Sequence, residues 1–149
     1  MAKKYEIPEF LGQYTSQSVY ERWLRAKAQA HVRRDKKRGH QCTAEQYRIA
    51  IHAAVVASEG NDAYTGEKLH WNLLSKYRNE DSKKGRHKYK AKFGLLPTVD
   101  HVSAASRSAS FRICGWRTND SKHDLSIEEF ITLCQRVVQH AGFHVEKRS

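Results

Sequence analysis

Two short apolar runs followed closely by one amphipathic stretch limit the fold of this chain more than any other feature. The runs, at 94–102 and 110–116, have the length and apolar content of β-strands, and seven residues separate them. After them, a capping box at 126–129 (Ser-Ile-Glu-Glu) opens a stretch in which apolar residues recur at helical spacing as far as Ala141. The sequence therefore predicts a β-hairpin followed by a helix.

The N-terminal part of the chain carries the pattern of two helices joined by a basic turn. Capping-box patterns at 18–21 and 43–46 each precede apolar residues at helical spacing. Arg and Lys residues crowd the end of the first helix before Gly39, and Gly60 follows the second helix, as suits helix C-termini. These signals predict a helical hairpin, so the chain as a whole should have an α+β fold.

The charge of the chain indicates a polyanionic partner. Lys and Arg number 27 against 16 acidic residues, which gives a net charge of +11. Such an excess on a small protein is the electrostatic footprint of nucleic-acid binding, although a basic structural protein of the ribosomal type shares it.

Cysteine content and hydropathy indicate the cellular compartment of the protein. Cys42, Cys114 and Cys134 form no Cys-x-x-Cys pair, and an odd, small number of cysteines fits a reducing compartment. We expect Cys114 and Cys134 to pack in the core, since each lies in an apolar run or stripe. The N-terminus lacks a signal-peptide pattern and no stretch approaches a membrane span, so we expect a cytoplasmic protein with no membrane partner.

Two polar clusters stand where the predicted strands meet the predicted helix. Asp100-His101 ends the first apolar run, and Asn119, Lys122 and His123 follow the second. An imidazole can take a proton from water near neutral pH, and carboxylate and amide oxygens are suitable ligands for a hard divalent cation. The two clusters would form one site if the hairpin and helix bring them together.

This arrangement resembles the HNH, or ββα-metal, endonuclease family. The resemblance covers about residues 61–140 and rests on YTGEKL at 64–69, TVDHV at 98–102 and WRTNDSKHDLSIEEF at 116–130. It implies an HNH core of β-hairpin plus helix and a nuclease that hydrolyses DNA with one Mg²⁺ or Mn²⁺ ion. In domain terms, an N-terminal arm and helical hairpin would occupy 1–60, and the HNH nuclease core would occupy 61–149 with a basic insertion at 76–92.

The resemblance also implies a role for each residue of the two clusters. Asp100 and Asn119 would hold the metal, and His101 would activate water. Lys122 would contact a phosphate oxygen at the entrance of the helix, where the helix N-terminus adds its dipole. His123 lies four residues after Asn119, so it would face the same way, as a second helical metal ligand or a phosphate contact.

Two departures from the family pattern are visible. Ser110 stands where the family has its middle asparagine, and its hydroxyl should still tie down the loop after the histidine. The paired cysteines that hold a structural zinc in many relatives are absent, so we expect no structural zinc.

The expected DNA contacts come mainly from the basic segment at 76–92, which would otherwise be a solvated loop. A lower-ranked set lies in the basic turn at 33–38, and Arg117 adds a further cation. The residues predicted to bind nucleic acid are Lys83, Lys84, Arg86, Lys88, Lys90, Lys92, Arg33, Arg34 and Arg117.

Other functions remain open from the sequence. The chain could be a non-catalytic DNA-binding module on a degenerate HNH scaffold, or a nuclease directed at RNA. A homodimer is possible, and among biological roles a restriction or phage-type enzyme fits the small size.

Overall fold

The structure is a computed structural model that describes residues 4–74, 76, 91–102 and 110–149. In the described part, four α-helices flank one antiparallel pair of strands, and two short 3₁₀ turns lie at Glu9–Leu11 and Trp71–Leu73. In chain order the elements are α1 (Gln17–Lys37), α2 (Ala44–Ser58), β1 (Pro97–His101), β2 (Phe111–Gly115), α3 (Trp116–Lys122) and α4 (Ile127–His140). The predicted α+β class is confirmed.

The helical hairpin forms as predicted, with one shift at its start. Ser16 caps α1 by accepting a hydrogen bond from the backbone N–H of Val19, so the prediction that the cap lies at Ser18 was wrong by two residues. Thr43 and Gln46 form the predicted capping box of α2. Gly39 adopts a φ of +85° directly after α1, a conformation that glycine allows at little cost.

The two strands pair in antiparallel register, with Val99 opposite Ile113 and His101 opposite Phe111. Because successive side chains alternate between the faces of a sheet, these four residues share one face, while Asp100 lies on the other. Residues of β1 are buried along its whole length.

The core forms where the hairpin packs against the sheet. α1 packs on α2 and contacts β1, α2 packs on β2, and the short α3 packs on both strands. The buried cluster includes Leu11, Tyr20, Leu24, Ala28, Tyr47, Ile51, Val55, Leu69, Trp71, Val99, Phe111 and Ile113. The helical hairpin and the sheet therefore share one hydrophobic core.

The last helix, α4, is less buried than the sequence predicts. α4 has the predicted length and the predicted capping box at Ser126 and Glu129, yet none of its residues is buried. Cys134 is exposed, so the prediction that it packs in the core was wrong, whereas Cys114 is buried as predicted. Helical periodicity shows which face of α4 is apolar, but the contact that covers such a face depends on tertiary structure. Within the described residues, no helix combines the length and the apolar composition that a membrane span requires.

Candidate active site

Asp62 joins the turn before the sheet to the start of α3. Its Oδ1 accepts hydrogen bonds from the backbone N–H groups of Tyr64 and Thr65, at 2.8 and 3.0 Å. Its Oδ2 accepts from the N–H of Gly115 and from the hydroxyl of Thr118, both at 2.8 Å. One buried carboxylate thus fixes the backbone of the turn at Tyr64 and Thr65 and the first turn of α3 relative to β2.

Asp100, at the end of β1, is held by two donors on its Oδ2 atom. The ammonium of Lys122 lies 3.1 Å away, and the hydroxyl of Tyr64 donates a short hydrogen bond to the same oxygen. Lys122 is almost fully buried, with 2% of its side chain exposed. The carboxylate is therefore ordered before any ligand arrives.

His101 lies on the opposite face of β1, among residues of the helical hairpin. Its Nδ1 is 3.2 Å from Oδ2 of Asp35, an ion-pair distance rather than a well-aligned hydrogen bond. Asp35 is itself buried, and it accepts a short hydrogen bond from the hydroxyl of Tyr47. The His101 ring packs against Phe111, with ring centroids 4.9 Å apart. These contacts fix the orientation of the imidazole.

One cleft of about 900 Å³ reaches both faces of the end of β1. The C-terminal part of α1 lines one side, and α3 with the start of α4 lines the other. Asp100 and His101 therefore reach the same space although their side chains point to opposite faces of the strand. The predicted residues Asp100, His101, Asn119, Lys122 and His123 all line this cleft.

The placement of the second polar cluster on the helix was predicted incorrectly. Asn119 and Lys122 lie in α3, which starts at Trp116 directly after β2, whereas the capped helix α4 begins later. His123 follows the end of α3 with a φ of +52°, outside the helix, so it does not share a helical face with Asn119. The expected helix N-terminus at Lys122 is a C-terminus, where a cation is favourable.

His123 and Lys122 both have protein partners. The His123 side chain is 81% exposed and lies 3.0 Å from Asp124, and Lys122 contacts Asp100. The ion pair with Asp100 compensates the buried charge of Lys122, since an unpaired ammonium would be costly there.

Among the residues predicted to bind nucleic acid, only some lie in the described part of the chain. Lys83, Lys84, Arg86, Lys88 and Lys90 lie outside the described residues. Lys92, Arg33, Arg34 and Arg117 are exposed. Of these four, Arg34 lines the cleft, and Arg117 forms a 2.7 Å ion pair with Glu67.

Ser110 supports the strand ends through its backbone. Its carbonyl oxygen accepts a 3.0 Å hydrogen bond from the N–H of Val102, next to His101. The loop that the Ser110 hydroxyl is predicted to tie down, at 103–109, lies outside the described residues.

The carboxylate and amide oxygens in the cleft are the kind of ligand atom that a hard cation binds. Among the described residues, Lys122 and Tyr64 both contact Oδ2 of Asp100, and Asn119 contributes an amide to the same cleft. Across the described residues there is no group of three or more His, Cys, Asp or Glu side chains close enough to hold a metal. An ion here would take its remaining ligands from phosphate and water, as Mg²⁺ commonly does.

Burial determines the protonation states of the side chains around Asp100 and His101. It raises the pKa of both Tyr64 and Tyr47, with hydrogen bonds to Asp100 and Asp35 adding to the effect. Burial also lowers the pKa of His31 to about 4, and the nearby cation Arg34 contributes. At neutral pH the tyrosines thus remain donors, and neutral His31 can donate from Nε2 to the carbonyl of Val99 at 3.2 Å.

Three supporting residues were missed from the sequence: Asp35, Tyr47 and Asp62. Asp35 did carry a signal, because it is the single acid in the run RRDKKR at 33–38. Asp62 and Tyr47 carried none, since a buried carboxylate or hydroxyl in a loop or helix cannot be told from an exposed one by spacing.

The chain matches no family model, no curated protein and no solved structure. Support for a function therefore comes from the chemistry of the cleft.

Proposed function

We propose that this protein is a divalent-metal-dependent endonuclease of the HNH type that hydrolyses DNA phosphodiester bonds. The observation that carries the proposal is the end of β1, where a histidine backed by a buried carboxylate and a second, preordered carboxylate share one cleft. A general base next to an oxygen-donor site is what phosphodiester hydrolysis requires.

His101 acts as the base that takes a proton from the attacking water. Because Nδ1 faces Asp35, the accepting role falls to Nε2 on the opposite side of the ring. Asp35 favours the tautomer with its proton on Nδ1 and stabilises the imidazolium that forms. Tyr47, which donates to Asp35, keeps that carboxylate in place. Asp35 is therefore a positioning residue that acts through His101.

Asp100 and Asn119 would hold the metal ion through oxygen atoms. A bound Mg²⁺ or Mn²⁺ supplies positive charge where negative charge develops on the phosphate and the leaving oxygen. Tyr64 and Lys122 orient the Asp100 carboxylate by binding Oδ2. His123 is exposed and lines the cleft, where it would contact a phosphate of the DNA backbone.

The DNA backbone binds along the side of the cleft formed by α1. Arg34 and Arg38 are exposed and line the cleft, and the chain has a net charge of +11. Cations that neutralise phosphates release counterions and supply most sequence-independent affinity.

A plasmid-cleavage assay tests the nuclease proposal. Supercoiled plasmid is incubated with the protein and Mg²⁺ or Mn²⁺, with parallel lanes that contain EDTA. We expect nicking or linearisation that EDTA abolishes. The variant His101→Ala should lose cleavage and keep DNA affinity, whereas His144→Ala, at a histidine whose side chain is 84% exposed, should retain both.

Asp35→Asn separates positioning from binding. The variant keeps an acceptor for Tyr47 but no longer stabilises a charged imidazole, so the cleavage rate should fall at least about tenfold with unchanged DNA affinity. Equal rates for Asp35→Asn and the wild type would remove Asp35 from the mechanism.

The contact of Arg34 with phosphate is tested by salt dependence. Loss of one phosphate contact should reduce the slope of log K against log salt by about 0.9 for duplex DNA. We expect this change for Arg34→Ala and a smaller one for Arg33→Ala, which lies one position away on α1 and does not contribute to the cleft lining.

A second candidate function is a DNA-binding module without catalysis. The ion pair between Lys122 and Asp100 favours it, because the ammonium neutralises the carboxylate that would hold the metal. A plasmid that shifts on a gel with or without metal but stays intact would support this alternative. An RNA duplex and single strand as competitors would show whether DNA is the preferred substrate.

A further inference from the structure

The turn between α1 and α2 places His40 against the last turn of α1. The N–H of Gly39 donates to the carbonyl of Lys36 at 3.0 Å, and the N–H of His40 donates to the carbonyl of Asp35 at 2.9 Å. Together with the positive φ of Gly39, these two hydrogen bonds form a Schellman motif. Asp35 therefore positions two histidines, because its carbonyl holds the backbone of His40 and its carboxylate lies beside His101.

Helix stability alone does not account for a histidine at position 40. The residue at this place in a Schellman motif frequently makes an apolar contact with the end of the helix. His40 is 8% exposed, yet its Nδ1 is buried and has no hydrogen-bond partner among the described residues. A leucine would fill this space without burying an unpaired nitrogen, so the polar ring points to a role beyond stability.

The burial of Nδ1 determines which nitrogen of His40 can donate a hydrogen bond. A proton on Nδ1 would be a buried donor without an acceptor, which is costly. Of the two neutral tautomers, the one with its proton on Nε2 is therefore favoured. Because His40 lines the cleft and its Nδ1 is shielded from solvent, Nε2 is the nitrogen that a ligand in the cleft can reach.

The charges that line the cleft indicate which kind of ligand this donor faces. On the side formed by α1 and the turn after it, the lining residues are His31, Arg34, Arg38 and His40. The opposite side contributes three exposed acids, Asp120, Asp124 and Glu129. An anion in the cleft is therefore attracted to the side that carries His40 and repelled from the other side.

We propose that His40 is a phosphate-binding residue whose Nε2–H donates a hydrogen bond to a non-bridging oxygen of the DNA backbone. The choice of DNA as the bound polyanion rests on the proposed function. Arg34 and Arg38 supply positive charge on the same side of the cleft, and His40 supplies a hydrogen bond of fixed direction. Because Asp35 contacts both His40 and His101, the phosphate-binding imidazole and the proposed general base are held in a fixed relation.

DNA affinity in the absence of metal tests this contact. A fluorescent duplex is titrated with the full chain in EDTA at pH 8, and binding is followed by fluorescence anisotropy. His40→Leu should lower the affinity at least about tenfold, because a hydrogen bond to a charged group is lost. The slope of log K against log salt should stay unchanged, because a neutral donor releases no counterion, whereas Arg34→Ala should reduce it by about 0.9.

Three controls separate phosphate binding from folding. His40→Gln retains an N–H donor of similar reach and should bind within about threefold of the wild type. His70→Ala, at an exposed histidine outside the cleft lining, should bind as the wild type does. In urea denaturation, His40→Leu should have a midpoint at or above that of the wild type, because leucine supplies the apolar contact of the Schellman motif.

NMR of the ¹⁵N-labelled protein tests the tautomer and the source of the phosphate. The signals of His40, assigned by their absence in His40→Leu, should show the tautomer with its proton on Nε2, and the duplex should shift the Nε2 resonance. Inorganic phosphate at the same concentration should leave this resonance unchanged. An equal shift with inorganic phosphate would indicate a site for free phosphate and would overturn the assignment to DNA, as would a proton on Nδ1.

The binding data can overturn the proposal in three further ways. They are wild-type affinity of His40→Leu, equally weak binding by His40→Gln and His40→Leu, and a lowered urea midpoint that accompanies the loss of affinity. The outcome is also separable from that of the nuclease proposal. A wild type that binds DNA through His40 but never cuts it would refute the nuclease alone, whereas cleavage together with wild-type affinity of His40→Leu would refute this contact alone.

Discussion

Replacing Lys122 with methionine removes a buried charge from the centre of the proposed site and leaves its partner in place. Lys122 Nζ lies 3.1 Å from Asp100 Oδ2, and both side chains are at least nine-tenths buried. At an effective dielectric constant of about 20, two unit charges at this distance attract by about 5 kcal/mol, and desolvation offsets much of that attraction. The variant therefore leaves the Asp100 carboxylate buried without a compensating charge.

We expect Lys122→Met to lower the free energy of unfolding by about 3–5 kcal/mol, measured by urea denaturation at pH 7. The double variant Lys122→Met with Asp100→Asn should recover at least about 2 kcal/mol of this loss, because it leaves no uncompensated charge. Methionine has nearly the length of the lysine stem, so the comparison isolates the charge rather than the volume.

Mg²⁺ connects this stability measurement to the proposed metal site. With the lysine gone, the Asp100 carboxylate attracts a cation more strongly, so Mg²⁺ should raise the urea midpoint of Lys122→Met more than that of the wild type. A loss below about 1 kcal/mol for Lys122→Met, or additive effects in the double variant, would refute the reasoning about the ion pair. An equal Mg²⁺ response in both proteins would refute the role of Asp100 as a ligand.

Three further predictions concern the framework of the cleft. The pKa of His31 is about 4 in the folded protein and about 6.5 in the unfolded chain, so neutral His31 stabilises the fold fully above pH 6.5, and this stabilisation is lost as the pH falls to 4. Between pH 7 and pH 4, the free energy of unfolding of His31→Gln should therefore fall by roughly 3 kcal/mol less than that of the wild type, measured by urea denaturation. Asp62→Ala leaves four donors without their acceptor and should cost about 3–5 kcal/mol in the same assay, whereas a cost below about 1 kcal/mol would contradict its role at the start of α3. Gly115→Ala places a Cβ 2.9 Å from the carbonyl oxygen of Gly94 and should lower the free energy of unfolding by about 1–3 kcal/mol, while an unchanged urea midpoint would show that the backbone relaxes freely.

Local signals in the sequence predicted the elements well where side chains act within a few residues. Capping boxes at Thr43 and Ser126 mark true helix starts, because the side chain and the N–H groups that it caps are three residues apart in any context. The pattern at Ser18 failed because Ser16 offers the same hydroxyl two residues earlier. Spacing alone does not decide between two caps of equal chemistry.

The polar residues singled out from the sequence line one cleft, but their local geometry was predicted incorrectly. Asp100, His101 and Asn119 do share one cleft, since a β-hairpin followed by a helix brings its strand end beside that helix. The sequence did not reveal that a separate helix, α3, starts directly after β2. Its first N–H groups are satisfied by the carbonyls of Leu96 and Gly94, which are distant in sequence.

The sequence by itself determined the order of the helical hairpin, the two strands and the last helix, the basic character of the chain, and the polar residue types that line the cleft. These properties depend on periodicity, capping and composition, which act locally or sum over the chain. Only the tertiary structure decided that Asp35 supports His101, that Lys122 neutralises Asp100, and that the apolar face of α4 is exposed. Each of these depends on which distant segments meet, and pairwise contacts between such segments leave no periodic trace in the sequence.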